Sequence, residues 1–457
     1  MKRSELEALD KADLVALAER QAERIAELEA RLSGMDGRLE ELERRAMRGA
    51  APFAREDAKR ASSPKRPGRK GGHDGAFRIR PDDDDVDRWI DVPLERCPGC
   101  GAALDPASDE VFDQAIIEVP PAAPEIIRLT THHNRCCGCG TRGASTHPLQ
   151  ISTARGAAST HLGPRALAIA ATLNKGLGLT MRKTCSVLDT LLGLKLSPGG
   201  LSQALARMAD RLAPAHDALQ GRVKAGPVLH TDETSWYVGR PGASLWVMTN
   251  RAGTCYSIVP SRTKAAAEAL LGGYQGVLVS DCLNIYDDLT PVQQKCYAHH
   301  LRKIGEALDD AAAGSEYLAD LRSLLTGAMA LKAVMPDLPD HRVAAMRAAL
   351  EANADRLLAT PRSGLEDRLR LRIAKQRDHL FTFLDHPEVD ATNNLAERQL
   401  RPAVISRKLS CGNKTEAGAR TWEILTSLAA TCQQTGTSFV DLIVEQLTMS
   451  PQTEGAG

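Results

Sequence analysis

Two aspartates in this chain follow apolar runs, where a carboxylate can either form a turn or bind a metal ion. The stretch 226–238, GPVLHTDETSWYV, carries Asp232, and the run GVLVSD ends at Asp281. Aspartate is common in turns because its side chain bonds nearby backbone amides. A carboxylate held at the end of a strand is equally suited to a metal ion. One acid does not decide between the two interpretations, which depend on whether matching acids occur elsewhere in the chain.

The elements between the two aspartates predict that they meet. SLWVMTN and TCYSIVPSR read as strands, residues 264–271 as a short helix, and the run before Asp281 as a fourth strand. In a ribonuclease-H-like sheet this order places the first and fourth strands side by side. Asp232 and Asp281 would then lie close together and repel unless a cation lies between them. Hard oxygen ligands at this spacing suit Mg²⁺, with Mn²⁺ as a substitute.

A two-metal phosphoryl-transfer site needs a third acid, and Glu397 is the candidate. It lies in DATNNLAERQLRP, where Asn393 or Asn394 can cap a helix that carries Glu397 on one face. Taken alone, Glu397 reads as an ordinary surface acid, but three acids in this order favour a metal site. Residues 398–420 hold six basic residues and one acid, which suits a polyanionic substrate. We assign DNA contact to Arg398, Arg401, Arg407 and Lys408.

Cys296 and His299 lie in CYAHH, shortly after the second aspartate. This segment reads as a fifth strand that runs into a helix, which would bring His299 near the carboxylates, so we count His299 among the catalytic candidates. A buried thiol and a satisfied core histidine are an equally good interpretation. We do not expect this pair alone to bind zinc, because two ligands do not complete a site.

CPGCG and CCGCG form two cysteine knuckles of the same shape. In each, two thiols lie three residues apart and a glycine follows, which permits the tight turn that aims both sulfurs at one ion. Residues 111–119 and 124–133 read as strands, so the segment between the knuckles is predicted to be a hairpin. Two separate redox pairs are the alternative, and Cys137, His132 or His133 could replace the fourth ligand. The predicted structural zinc site consists of Cys97, Cys100, Cys136 and Cys139.

The N-terminal residues show the heptad spacing of a coiled coil. Seam residues, apolar except for Gln21, alternate at spacings of four and three from Leu14 to Ala46, with charged flanks, although Gly34 and Gly37 weaken the helix. Dimerisation is the favoured interpretation, and packing on the same chain is the alternative. Residues 48–91 then read as a charged linker, first basic and later acidic, which either follows DNA phosphates or is a solvated tether.

Helical periodicity predominates before the first predicted strand. Ser197 and Pro198 supply an N-cap and a first-turn proline for the third of three short helices. Short helices with a glycine-containing turn fit a helix-turn-helix unit, although generic packing explains the same pattern. The predicted helices cover residues 164–175, 181–192 and 199–212, and the third carries two candidate DNA contacts, Arg207 and Arg211.

The predicted fold class is a multidomain α+β chain. It comprises a coiled coil, a zinc ribbon, a helix-turn-helix region and a ribonuclease-H-like α/β catalytic domain with a helical insertion. The predicted boundaries are 1–47 for the coiled coil, 48–91 for the linker, 92–150 for the zinc ribbon, 151–222 for the helix-turn-helix region, 223–300 with 379–435 for the catalytic domain, 301–378 for the insertion and 436–457 for the C-terminal segment.

The composition adds constraints on location rather than on the partner. Lysine and arginine total 58, as do aspartate and glutamate, so net charge does not indicate a nucleic-acid partner. No apolar stretch approaches the roughly 20 residues that span a bilayer. Eleven cysteines without a secretory signal favour free or metal-bound thiols over a disulfide framework. We therefore expect a cytoplasmic, nucleoid-associated protein.

Taken together, these motifs resemble the transposases of the insertion-sequence-66 family. The resemblance includes the zipper, GRKGGHDG, both cysteine knuckles, HTDET, SDCLNIYD, CYAHHLRK and NNLAERQLRP, and so covers nearly the whole chain. It implies that Asp232, Asp281 and Glu397 are a DDE triad that binds Mg²⁺, and that Cys296 and His299 are the family's Cys-x-x-His feature. Tyr297 stands where tryptophan is expected.

The implied activity is DNA cleavage and strand transfer without a covalent protein–DNA intermediate. The implied partners are double-stranded DNA, a second copy bound through the coiled coil, and accessory proteins of the same element. A non-cutting DNA-binding regulator, or a silenced transposase, is the alternative, although three intact acids argue against it. A ribonuclease acting on RNA–DNA hybrids is a third interpretation, against which the zipper, zinc ribbon and helix-turn-helix weigh.

Overall fold

A computed structural model describes residues 81–105, 112–150, 161–310 and 315–449 of the chain. The predicted coiled coil and the linker up to residue 80 lie outside the described residues. The chain divides into two compact units, residues 1–118 and 119–457, and each is described by itself. Helices and strands mix along the described residues, which confirms the predicted α+β class. No helix in the described ranges is long and apolar enough to cross a membrane.

The first unit contains a 3-10 turn, Asp83–Asp85, and the first cysteine knuckle. In the knuckle the Cys97 amide donates to the carbonyl of Ala102 at 3.0 Å, and the Gly101 amide donates to the carbonyl of Cys97 at 2.9 Å. Gly101 has a φ of 75°, a left-handed conformation that glycine adopts without steric cost. The predicted tight turn is therefore present.

The second unit begins with the other knuckle, which repeats this backbone pattern. The Cys136 amide donates to the carbonyl of Thr141 at 2.8 Å, and the Gly140 amide donates to the carbonyl of Cys136 at 3.0 Å. Gly140 has a φ of 72°. Two short antiparallel strands flank the knuckle, β1 (His133–Arg135) and β2 (Arg142–Ala144).

The longer strands predicted between the knuckles are wrong. Residues 112–132 contain no strand, and of the two predicted segments only His133 falls in one. Their apolar side chains are exposed, Ile116 by 81% and Ile126 by 93%. A strand forms where a neighbouring strand supplies hydrogen bonds. Among the described residues 112–150, β1 and β2 pair with each other on either side of the tight knuckle turn.

Three helices precede the main sheet: α1 (Pro164–Ala171), α2 (Met181–Leu192) and α3 (Pro198–Lys224). The hydroxyl of Ser197 accepts a hydrogen bond from the Gly200 amide at 3.0 Å, so the predicted start of the third helix is confirmed. Its predicted end near residue 212 is wrong. The helix continues to Lys224 because its apolar stripe also continues, and the buried residues of that stripe include Leu205, Leu212, Leu219 and Val223.

A five-stranded sheet forms the centre of the second unit, in the order β5–β4–β3–β6–β7. Strands β3, β4 and β5 are antiparallel, whereas β6 and β7 run parallel to β3. The predicted neighbourhood of the first and fourth strands is therefore confirmed. The strands are β3 (Val228–Val238), β4 (Arg240–Asn250), β5 (Gly253–Val259), β6 (Val277–Ser280) and β7 (Gln293–Lys295), and α4 (Lys264–Leu271) connects β5 to β6.

Helices follow the last strand. The described residues of the predicted insertion, 301–378, contain helices and no strand. In chain order the helices are α5 (Tyr297–Asp310), α6 (Glu316–Val334), α7 (Asp340–Ala359), α8 (Gly364–Ala374), α9 (Thr382–Asp385), α10 (Asn394–Ser410), α11 (Glu416–Thr435) and α12 (Phe439–Thr448).

Both faces of the sheet are covered by helices. Leu229 and Leu278 share a core with residues of α1–α3, α11 and α12. On the other face Trp236 and Val247 pack with Leu400 of α10, and residues of β6 pack with the helices that follow β7. The three helices before the sheet therefore belong to the same hydrophobic core as the sheet.

Candidate active site

Asp232 lies in the middle of β3, at the point where the pairing of β3 with β6 ends. The parallel ladder covers residues 228–230, whereas β3 itself continues to Val238 beside β4. The expectation that the strand ends at the acid is therefore wrong, because β4 continues to pair with the residues beyond it. Only the pairing with β6 stops near Asp232.

Asp281 follows β6 directly, and its carboxylate meets that of Asp232. Ligand oxygens of Asp232, Glu233 and Asp281 all lie within 4.8 Å of one another. Oδ1 of Asp281 accepts the Leu283 amide at 2.9 Å, and Oδ1 of Asp232 accepts the Glu233 amide at 2.9 Å. The parallel pairing of β3 with β6 thus produces the predicted juxtaposition of the two aspartates.

Glu233, the neighbour of Asp232, is buried and has side-chain partners of its own. Glu233 accepts a hydrogen bond from the hydroxyl of Tyr286. It accepts another, at 2.8 Å, from Nε of Arg262. Burial raises the pKa of Glu233, while these two hydrogen bonds oppose the increase. Arg262 and Tyr286 therefore compensate the charge of Glu233.

Glu397 lies in the first turn of α10, next to the start of α5. Ligand atoms of Glu397, Cys296 and His299 all lie within 4.8 Å of one another. Oε1 of Glu397 is 3.8 Å from Nδ1 of His299. Both atoms are shielded from solvent and have no hydrogen-bond partner among the described residues. His299 thus lies beside a carboxylate. Glu397, the third predicted acid, belongs to this second cluster and not to the cluster of Asp232, Glu233 and Asp281.

The electrostatics of Asp232 link the two clusters. Burial raises the pKa of Asp232 from 3.8 to about 7, and the negative charges of Glu233 and Asp281 add to the increase. The charge of Glu397 also contributes. Crowded carboxylates of this kind are stabilised in their ionised form by a cation. The oxygen donors at this position therefore fit a hard divalent ion such as Mg²⁺.

Asn393 joins the elements that carry the acids. It is fully buried, its Nδ2 donates to the carbonyl of Thr231 at 2.7 Å, and its Oδ1 is 3.2 Å from Nδ1 of His230. Its backbone amide donates to Sγ of Cys296 at 3.1 Å. Asn393 occupies the N-cap position of α10, but its side chain bonds β3 instead of the helix. It thereby holds the Glu397 helix beside the Asp232 strand.

The basic residues assigned to DNA differ in their surroundings on α10. Arg398, Arg401 and Lys408 are exposed. Arg407 instead donates through Nη1 to the hydroxyl of Thr234 at 2.9 Å and to that of Ser235 at 2.8 Å, and so joins α10 to β3. The exposed residues form a basic strip after Glu397.

Arg207 and Arg211 lie on α3, which is largely a core helix. Both side chains are half-buried, between the buried residues Leu205, Met208 and Leu212. Their guanidinium groups are therefore at the margin of the face that packs on the sheet, rather than on the most exposed face of the helix.

In each cysteine knuckle, hydrogen bonds lower the pKa of one thiol. Hydrogen bonds, first from Thr141, lower the pKa of Cys139 to about 7. In the other knuckle, backbone hydrogen bonds, first from Cys100, lower the pKa of Cys97. Thiolates are the zinc-binding form of cysteine. That the two knuckles share one ion stays a prediction.

The site contains residues to which the sequence assigned no role. Glu233 adjoins Asp232 in HTDET, so its proximity was visible, but its partner Arg262 lies 29 positions away along the chain. Tyr286 is part of SDCLNIYD, yet no spacing rule indicates that its hydroxyl reaches Glu233. Contacts of this kind depend on packing and have no local signal.

Comparison with known proteins supplies the family. A profile of the Transposase IS66 family matches residues 159–421, more than half of the 457 residues and all members of both clusters. The chain belongs to the IS66 transposase family. The predicted family is therefore confirmed, and the matched residues include HTDET, SDCLNIYD, CYAHHLRK and NNLAERQLRP.

Two curated proteins of Sinorhizobium fredii (strain NBRC 101917 / NGR234) are similar to this IS66-family chain. Uncharacterized protein y4qI is 24% identical over 296 residues, 57% of this chain and 54% of that protein. Uncharacterized protein y4jO is 30% identical over 93 residues, 20% of this chain and 29% of that protein. The chain thus spans about half the length of the first relative and less than a third of the second.

Proposed function

We propose that this IS66-family chain is a transposase that binds the ends of an insertion sequence and catalyses Mg²⁺-dependent DNA cleavage and strand transfer. Asp232, Asp281 and Glu397 form its DDE triad. The observation that carries the proposal is the meeting of Asp232 and Asp281 on two adjacent parallel strands, with Glu397 near enough to raise the pKa of Asp232. The strand order matches the ribonuclease-H-like sheet expected from the sequence.

The residues of the site have separate tasks in this mechanism. Asp232 and Asp281 would hold Mg²⁺, together with Glu397 from α10. The bound metal would supply activation of water or a 3′-hydroxyl and stabilisation of the leaving oxygen. His299, with Nδ1 3.8 Å from Oε1 of Glu397, is a further catalytic candidate beside that carboxylate. No covalent protein–DNA intermediate is required.

The exposed basic strip on α10 supports a path for the DNA backbone beside the acids. Arg398 and Arg401 lie one and four residues after Glu397, and Lys408 extends the strip. Cationic side chains that neutralise phosphates release counterions, which favours binding. In the proposed complex Arg407 steadies the strip through β3, while Arg207 and Arg211 contribute from α3.

The remaining parts of the proposal concern assembly. The coiled coil of residues 1–47 pairs two copies, so that two DNA ends are held together, and the element's accessory proteins act with them. Cys97, Cys100, Cys136 and Cys139 hold one structural zinc ion, which the lowered pKa of one thiol in each knuckle supports. The domain boundaries predicted from the sequence, from the coiled coil to the C-terminal segment, are also proposed for this chain.

The triad is tested by removing one charge at a time. Asp232→Asn, Asp281→Asn and Glu397→Gln should each abolish cleavage of DNA ends, because residues that act as a unit lose nearly all activity when one is removed. End binding should remain nearly intact. The substrate is DNA carrying the inverted repeats that flank the gene, and cleavage with Mg²⁺ and gel-shift binding are measured on each variant.

Asp309→Asn is the matched control, since this acid is exposed on α5. It should cleave like the unchanged protein, and near-native cleavage by a triad variant would remove that residue from the triad. An unchanged chain that binds ends but never cuts them would be a DNA-binding regulator. Cleavage confined to RNA–DNA hybrids would make it a ribonuclease.

A further inference from the structure

Cys296, His299 and Glu397 combine ligand types that Mg²⁺ does not favour. Their ligand atoms all lie within 4.8 Å of one another, from the start of α5 and the first turn of α10. The sequence supplied only two ligands here, and the third comes from a residue 98 positions beyond His299. A thiolate, an imidazole and a carboxylate together favour zinc and similar transition ions.

Two residues of this trio, His299 and Glu397, each have a buried polar atom without a hydrogen-bond partner among the described residues. Nδ1 of His299 and Oε1 of Glu397 are shielded from solvent, lie 3.8 Å apart and receive no hydrogen bond from the described residues. Buried polar atoms are normally satisfied, and leaving them unsatisfied is costly. A cation between them would satisfy both, whereas their separation is too long for a direct hydrogen bond.

The sulfur of Cys296 has a hydrogen-bond donor beside it. The residue is fully buried, and its sulfur accepts the Asn393 amide at 3.1 Å. Hydrogen bonds from such neighbours orient and tune metal ligands. The side chains of His299 and Glu397 are 26% and 31% exposed, which leaves an approach from solvent.

We propose that Cys296, His299 and Glu397 form a zinc-type site that is separate from the cysteine knuckles and shares Glu397 with the triad. Three protein ligands leave a fourth position open to water or another ligand. The binding itself does not depend on the proposed transposase activity. One consequence does rest on that activity: zinc at this site would occupy the carboxylate that the Mg²⁺ pair needs, and would inhibit cleavage.

The test is a Co²⁺ titration of the metal-stripped full-length chain, without DNA and without Mg²⁺. Co²⁺ replaces Zn²⁺ in such sites, and its thiolate bonds give a charge-transfer absorption. Cys296→Ser should bind one equivalent fewer than the unchanged protein and lose part of this absorption. Serine Oγ can still accept the Asn393 amide. His299→Ala should weaken binding at the same site by more than the roughly 10–100-fold that outer-shell changes cost.

Two further variants show which site binds each equivalent of Co²⁺. Cys97→Ser should remove the knuckle ion and leave the second equivalent. Cys282→Ser is the matched control, because its sulfur also lies near a histidine, 3.3 Å from Nε2 of His300, but belongs to no trio; it should bind like the unchanged protein. Equal Co²⁺ binding and absorption in the unchanged protein and Cys296→Ser would overturn the proposal. If Cys296→Ser does not fold, unaltered binding by His299→Ala would overturn it.

Discussion

At the scale of single residues, Asp232 is where the requirements of folding and of the site conflict. Its carboxylate is partly buried beside Glu233 and Asp281, which raises its pKa to about 7. Arg262 and Tyr286 compensate Glu233, whereas the hydrogen bond that Asp232 accepts comes from a backbone amide. Without a metal ion, the ionised form of Asp232 therefore destabilises the fold.

This conflict predicts how the stability of Asp232→Asn depends on pH. Folding raises the pKa of Asp232, so the stabilising contribution of the protonated acid is present below about pH 4 and is lost as the pH rises through about 7. In metal-free buffer at pH 8, Asp232→Asn should have a free energy of unfolding higher by on the order of 2 kcal/mol. The difference should shrink toward pH 4. Denaturant unfolding at both pH values measures it.

At pH 8, Mg²⁺ should reduce the difference in free energy of unfolding between Asp232→Asn and the unchanged protein, because an ion that binds only the folded state stabilises it. Asp309→Asn should show little change at either pH. A stability gain of the same size in Asp309→Asn, or none in Asp232→Asn, would contradict the electrostatic account of Asp232.

At the scale of elements, Asn393 decides how α10 meets β3. The side chain bonds the carbonyl of Thr231 on β3, and the backbone amide bonds the sulfur of Cys296. The first helical hydrogen bond of α10 also starts here, from the Glu397 amide to the carbonyl of Asn393 at 3.1 Å. One residue thus fixes Glu397 relative to Asp232.

Replacing Asn393 should therefore cost more than replacing its neighbour. Asn393→Ala leaves a buried carbonyl unsatisfied, which should destabilise the fold by roughly 1–3 kcal/mol. Asn394→Ala changes an exposed residue and should stay within about 0.5 kcal/mol. Urea unfolding measures the loss of stability in both variants. An equal loss in the two would contradict the proposed role of Asn393 in joining α10 to β3.

At the scale of the whole molecule, the proposed pairing of two DNA ends needs at least two protomers. The apolar seam from Leu14 to Ala46 lies outside the described residues, so its role stays a prediction. Leu28→Glu with Leu32→Glu places unpaired charges in that seam, where burial without partners is costly. The double variant should lose paired-end complexes and strand transfer but still bind single ends.

Light scattering with and without end DNA gives the mass, and a gel shift counts ends per complex. Glu27→Gln with Arg31→Gln alters the charged flank instead of the seam, and is the control that should still pair ends. Paired ends in the seam variant would show that the N-terminal helix is not the pairing device and packs on its own chain.

Much of the site follows from local patterns along the chain. The apolar runs, the breaks between them and the order of elements were enough to predict that Asp232 and Asp281 would meet, because strand order decides which strand ends are neighbours. The N-cap of the third helix and the tight turns of both knuckles also follow from local residues, since glycine, serine and proline act within a few positions.

The tertiary structure decided what depends on distant partners. The strand that carries Asp232 continues past the acid because β4 pairs with it there, and α3 extends to Lys224 because its stripe packs on the sheet. The described residues 112–132, most of which the sequence predicts to be strand, form no strand, because strand formation depends on a neighbouring strand. The grouping of Glu397 with Cys296 and His299 likewise required the fold to bring the first turn of α10 to the start of α5, since these residues are about 100 positions apart in the chain.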